Sequence, residues 1–232
     1  PDDLARELSI SEDKAELLLP TAMIYHNIFE ETDAEFMWLS GITICDGMAA
    51  DFAECKEHIV PAHPFSDDII SVSRKLAERF CCDTEHIHQV EIAALKLFDA
   101  LRKANHLTKK DRLLLQIAAI LHNCGSFLNL NDIGENSYKI VTSTEIIGLS
   151  HQERMIVAYV IRYTTGDFPE YSEIKNEFSR EEYIKIAKLN AILCLADAMD
   201  RSHQQKFTNF TVRKRGYDLT ITGQTSVSYT HL

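Results

Sequence analysis

From about residue 66 onward, apolar positions recur every three to four residues, the period of helices that bury one face. Asp67 and Asp68 open a stretch with Ile69, Ile70, Val72 and Leu76 on one side; Asp83 or Thr84 opens the next, with Ile87, Val90, Ala94, Leu97 and Leu101 in one stripe. Thr108 precedes a third run, Leu113 to His122. Ser150 with Glu153, and Ser179 with Glu182, match the capping box, in which a serine and a glutamate three residues later satisfy the orphan backbone donors of a helix start. Five or more amphipathic helices between about 66 and 205 predict an all-α bundle.

Outside that span the period changes. Phe207, Phe210 and Val212, then Leu219 and Ile221, alternate on either side of Lys214-Arg215-Gly216-Tyr217-Asp218, which predicts a short β-hairpin over 206–225. A lone hairpin needs a surface to pack on. The last stretch, 226–232, has no usable pattern and is expected to be foreign to the domain. Upstream, Ala15 to Leu19 predicts a short helix ended by Pro20, and Thr21 to Phe29 a second. Phe36 to Ile44 is aromatic and β-branched and reads as a strand, Cys45-Asp46-Gly47 as a turn, and Met48 to Cys55 as a helix. A helix, a strand and a helix enclose no core alone, so residues 1–60 are expected to close a larger α/β domain whose beginning lies upstream. Pro61 and Pro64 punctuate the boundary.

Charge sharpens that division. Residues 1–60 hold 14 acidic and 3 basic side chains, while the remainder holds 21 of each, so the whole formal charge of −11 resides in the first segment. An acidic chain of this kind is a poor candidate for nonspecific nucleic-acid binding. With 45% hydrophobic residues it can bury a substantial core, and no apolar run is long enough for a membrane span. The six cysteines, at 45, 55, 81, 82, 124 and 194, show no Cys-x-x-Cys spacing and read as reduced, mostly buried small hydrophobes, which points to the cytoplasm; a vicinal redox pair at Cys81-Cys82 stays open.

The candidate chemistry lies in the helical part. Leu121-His122-Asn123-Cys124-Gly125 reads as a metal-phosphohydrolase signature in which asparagine stands where a His-Asp pair would bind metal. His86 and Asp197 are the other candidate ligands. The alternative is that His86, His122 and Asp197 are buried polar groups bonded to one another and to backbone. Glu135 or His88 would be needed to complete a metal site, although His88, two residues from His86, should point away from it. No glycine-rich phosphate loop, nucleophile elbow or zinc motif is present. The basic residues Arg162, Arg201, Lys206, Arg213, Lys214 and Arg215 are candidates for holding a chain of phosphates, with a solvated hairpin tip as the equal alternative for the last three.

Two stretches resemble one family. Leu17-Leu18-Leu19-Pro20 and Ile42-Thr43-Ile44-Cys45-Asp46-Gly47-Met48 are similar to the close of the actin-like phosphatase domain of the exopolyphosphatase/guanosine pentaphosphate phosphohydrolase (Ppx/GppA) family. Glu85-His86-Ile87-His88-Gln89-Val90, Ala119-Ile120-Leu121-His122-Asn123-Cys124-Gly125, Gly148 to Arg154, Val160-Ile161-Arg162-Tyr163 and Leu195 to Ser202 occur in the order of that family's HD-like helical domain. The resemblance implies a mainly α fold: an HD-like all-α bundle over 66–205, preceded by the tail of an actin-like domain over 1–60 and followed by the hairpin. It implies catalysis, with magnesium, in a cleft formed by sequence upstream, no catalytic residue in this chain, and no cofactor held by it. His86, His122 and Asp197 would be vestiges of a metal site, since Asn123, Gly134-Glu135-Asn136-Ser137 and Thr164 stand where ligands are common. The implied substrates are polyphosphate or guanosine pentaphosphate, with this half guiding substrate and forming a homodimer. A stand-alone HD phosphohydrolase and a noncatalytic phosphate-sensing module remain as rivals.

Overall fold

The computed structural model describes residues 2–8, 11–32, 36–37, 41, 43–55, 65–205, 209–216 and 218–224, in two compact units, Pro1–Pro61 and Ala62–Leu232. In the first unit, α1 (Asp2–Leu8) lies against α2 (Glu12–Thr32), with Ala5 and Ala15 buried, and α3 spans Ile44–Cys55. Two expectations are corrected. Pro20 sits inside α2 and does not end it; a proline withholds one N–H from the ladder, and the residues on either side keep theirs. The turn expected at Cys45-Asp46-Gly47 is the first turn of α3. Its cause is local: Asp46 Oδ2 accepts from the Thr43 N–H at 2.8 Å and from Thr43 Oγ1 at 2.7 Å, and the Asp46 N–H returns a bond to Thr43 Oγ1 at 3.3 Å. That reciprocal cap starts the helix at Ile44. Of the strand expected over Phe36 to Ile44, Trp38 to Ser40 and Ile42 lie outside the described residues, and Phe36, Met37, Gly41 and Thr43 are not in a strand.

The second unit is the expected helical bundle. It comprises α4 (Phe65–Arg79), α5 (Thr84–Asn105), α6 (Lys109–Leu121), a 3₁₀ turn at Cys124–Phe127, α7 (Ile133–Ser143), α8 (His151–Arg162), the single-turn α9 (Tyr171–Ile174) and α10 (Arg180–Met199). The capping boxes at Ser150/Glu153 and Ser179/Glu182 are formed, and Thr108 makes a third with Asp111. Helix α6 touches α4, α5, α8 and α10. Its residues from Ile117 to Leu121 are all fully buried, so its C-terminal part has no solvent face, while Lys109 and Lys110 at its start are exposed. Residues at its C-terminal end therefore emerge in the middle of the bundle, which is how His122 becomes a buried residue.

Strands β1 (Asn209–Arg215) and β2 (Asp218–Gln224) pair antiparallel, with Val212 opposite Ile221. The surface the hairpin needs is α5: Phe210 is buried, and the Lys96 ammonium sits 4.5 Å from its ring centre. The 226–232 segment is outside the described residues.

Candidate functional site

Three helices deliver the candidate ligands to one point. His86 lies in the first turn of α5, whose start is fixed by Asp83: its carboxylate accepts the backbone N–H groups of Glu85 and His86, each at 3.2 Å. His122 follows the last residue of α6, and Asp197 lies in the last turn of α10. The Nε2 atoms of His86 and His122 are 3.2 Å apart, and Asp197 Oδ1 is 3.2 Å from the first and 3.4 Å from the second.

The outer ring nitrogens are already committed. His122 Nδ1 donates to the Ala119 carbonyl at 2.8 Å, and His86 Nδ1 meets Asp200 Oδ2 at 3.0 Å. Both partners are acceptors, so both Nδ1 atoms carry the proton and both Nε2 lone pairs face inward. Two imidazole lone pairs and a carboxylate oxygen then converge with no donor among them. Such a point needs one positive charge, either a proton shared at the centre or a metal ion. A divalent ion bonded at about 2.1 Å holds neighbouring ligand atoms about 3.0–3.4 Å apart, and the triangle here has those edges. His86, His122 and Asp197 are the residues that could hold a metal among those described.

A second layer, which the sequence reading did not assemble, braces His86. Asp200, 2% exposed, accepts the Gln205 N–H at 2.8 Å as well as His86. His203 stacks on the His86 ring with centres 3.7 Å apart and planes inclined by 10°, and its Nδ1 meets Asp83 Oδ2 at 2.9 Å. The chain adopts positive φ at His203 and Gln205 to make that turn, an unusual conformation for residues with a Cβ. The available signal was Asp200 three residues after Asp197, one helical turn along.

The positions where ligands were expected to be absent have structural tasks. Ser137, fully buried, accepts the Gly125 N–H at 2.7 Å and donates to the His122 carbonyl at 2.8 Å, tying the turn after His122 to α7. A Cβ on Gly134 would lie 2.4 Å from the Arg162 carbonyl oxygen, so no larger residue fits there without movement of α7 from α8. Thr164 Oγ1 turns back to the Ile161 carbonyl at 2.8 Å. Glu135 is bonded to Arg162 at 2.7 Å, and His88 is exposed.

The cations proposed for phosphate have different surroundings. Arg162 does not pair with Asp197 or Asp200; it bonds Glu135 and lies 4.4 Å over the Tyr138 ring. Arg201 is exposed just beyond α10, and Arg213, Lys214 and Arg215 are exposed along β1; Lys206 lies outside the described residues.

Burial disfavours a charged imidazole at His86, but Asp197 and Asp200 together outweigh it and raise its pKa. Burial likewise opposes charge on Asp197, and the two histidines outweigh it, holding the carboxyl well below its usual range. For metal-free protein the signs follow by linkage. The His86 contribution is complete below the ordinary imidazole value of 6.5 and is lost as pH rises through the higher folded value. The Asp197 contribution is complete above the ordinary 3.8 and is lost as pH falls through the lower folded value. The urea midpoint is therefore expected to be highest between those two ordinary values, with H86Q flattening the alkaline fall; a midpoint rising steadily from pH 6 to 9 would contradict the arrangement.

Fold and site together define a helical-bundle domain built round a buried histidine–aspartate cluster. A family model described as Ppx/GppA phosphatase, domain III, matches residues 70–226, and the chain belongs to that family. Over 200 residues it is 23% identical to the guanosine-5′-triphosphate,3′-diphosphate pyrophosphatase of Aeromonas salmonicida (strain A449), a match covering 84% of this chain and 38% of the relative. The chain thus spans well under half the length of that curated relative. Among the described residues, no helix is long and apolar enough to cross a membrane.

Proposed function

We propose that this chain is the C-terminal, noncatalytic portion of a cytoplasmic Ppx/GppA-type phosphohydrolase that removes terminal phosphate from polyphosphate or from guanosine-5′-triphosphate,3′-diphosphate. The observation that carries this reading is the exposure of apolar side chains in the first unit. Leu17, Leu19, Met23 and Ile24 are exposed on α2, and Ile44 and Met48 on α3, apolar side chains of the kind that another domain covers. The partial coverage of the relative agrees with it. In the parent, catalysis with magnesium belongs to the upstream lobes. The bundle guides the phosphate chain with Arg201, Arg213, Lys214 and Arg215, and contributes to a homodimer.

The test is phosphate release and retention by the purified chain. With magnesium and either substrate, no phosphate release is expected, whereas polyphosphate is retained in a filter assay and retention falls in R201A/R213A/K214A/R215A. Hydrolysis by the chain alone would overturn the reading.

The ligand triangle favours one alternative, a metal phosphohydrolase site within the bundle itself, held by His86, His122 and Asp197. It requires near-stoichiometric divalent metal after dialysis against manganese, and phosphate release that disappears in H122A.

A further inference from the structure

Cys82 and Cys124, 42 residues apart in the chain, meet in the bundle with their Sγ atoms 3.4 Å apart. Both are free thiols and both are buried. Cys82 closes the turn between α4 and α5, anchored by its N–H on the Ala77 carbonyl at 3.1 Å, and Cys124 opens the 3₁₀ turn after α6. A disulfide has its sulfurs about 2.05 Å apart, so closing this pair requires a sulfur approach of about 1.4 Å, shared between two side chains. The neighbouring Cys81 is exposed and stands at positive φ.

We propose that Cys82 and Cys124 form an intrachain disulfide when the protein meets a peroxide. The Cys82 thiolate attacks one peroxide oxygen, the O–O bond breaks, and the departing hydroxide is protonated to water, leaving Cys82 as a sulfenic acid. The sulfur of Cys124 then attacks the Cys82 sulfur; the S–O bond breaks, a second water leaves with the proton of Cys124, and the S–S bond forms. Two electrons pass from the two sulfurs to hydrogen peroxide.

The location gives the bond its effect. Cys82 immediately precedes Asp83, which caps α5 and holds His203 over His86; Cys124 is two residues beyond His122. The bond would staple together the two segments that carry the facing imidazoles. Closing a loop of this length also removes freedom from the unfolded chain. The oxidised protein is therefore expected to unfold at higher urea concentration than the reduced one.

The experiment treats the purified chain with hydrogen peroxide, alkylates remaining thiols under denaturing conditions, and maps tryptic peptides without reduction. A peptide beginning at Phe80 linked to the one containing Cys124 is expected. Because Cys81 and Cys82 share a peptide, C81S assigns the link and is expected to keep it, together with a urea midpoint that rises on oxidation and returns with dithiothreitol. C124S is expected to lose the link and to leave Cys82 trappable by dimedone. Cys124 still alkylatable after peroxide, a Cys81–Cys82 bond, or loss of the link in C81S would each overturn the proposal; C81S decides it even should C124S fail to fold.

Discussion

Replacing His86 by alanine is expected to destabilise the bundle by about 3–5 kcal/mol, because it removes a ring that bonds Asp197 and Asp200 at once and leaves a buried carboxylate without its partner. Asp200 bears the consequence most directly: its side chain is 1% exposed, and after the substitution only the Gln205 backbone and amide groups remain to it. The stacked His203 also loses its platform. Urea unfolding of H86A against the parent measures the cost. A double variant, H86A/D200N, separates charge from cavity: with the stranded carboxylate neutralised, it should recover at least about 1 kcal/mol relative to H86A. If the two changes simply add, Asp200 is not there to hold His86.

Gly125→Ala is expected to cost about 3 kcal/mol, the upper end of overpacking costs. The added Cβ would stand 2.2 Å from the Ile133 carbonyl oxygen and 2.5 Å from the Ser137 N–H nitrogen. Both neighbours are backbone at the start of α7, so no side chain can swing aside. The helix must move outward, and the bond from the Gly125 N–H to Ser137 Oγ goes with it. His122 should register the change through its carbonyl, which the same hydroxyl holds. A loss below about 1 kcal/mol in the urea midpoint would show that α7 yields cheaply and does not brace the turn.

These two substitutions bear on how the departures from a metal-binding pattern are understood. Asn123, Gly134, Ser137 and Thr164 look, as residues in a row, like ligands that have been lost. In the bundle, Ser137 and Thr164 bond backbone carbonyls and Gly134 admits the end of α8, so three of these positions are occupied by packing requirements. Meanwhile His86, His122 and Asp197 converge with the tautomers that present lone pairs to one point. The remaining frame is therefore built to hold a positive charge, and the metal and pH experiments decide which one it holds.

Helix starts were legible where both members of a local hydrogen-bond pair lie within four residues. Ser150 with Glu153 and Ser179 with Glu182 needed no tertiary information. The same rule read more widely would have found Thr43 with Asp46, where β-branched composition suggested a strand instead. Pro20 misled in the opposite direction, since one missing N–H does not oblige a 21-residue helix to stop. Arg162 was named as a phosphate candidate from its charge; its bond to Glu135 and its place over Tyr138 join α8 to α7 and could not be read from charge alone.

What the chain determined by itself is the bundle and the hairpin, because period and caps are local properties; the three converging residues were named through the resemblance of their motifs to a known family. Tertiary structure alone decided that Asp200 and His203 clamp His86, that Ser137 holds the His122 turn, and that Cys82 touches Cys124. Each of those contacts joins segments distant in sequence or depends on a left-handed turn, and their geometry is set only once α6 is buried among its neighbours.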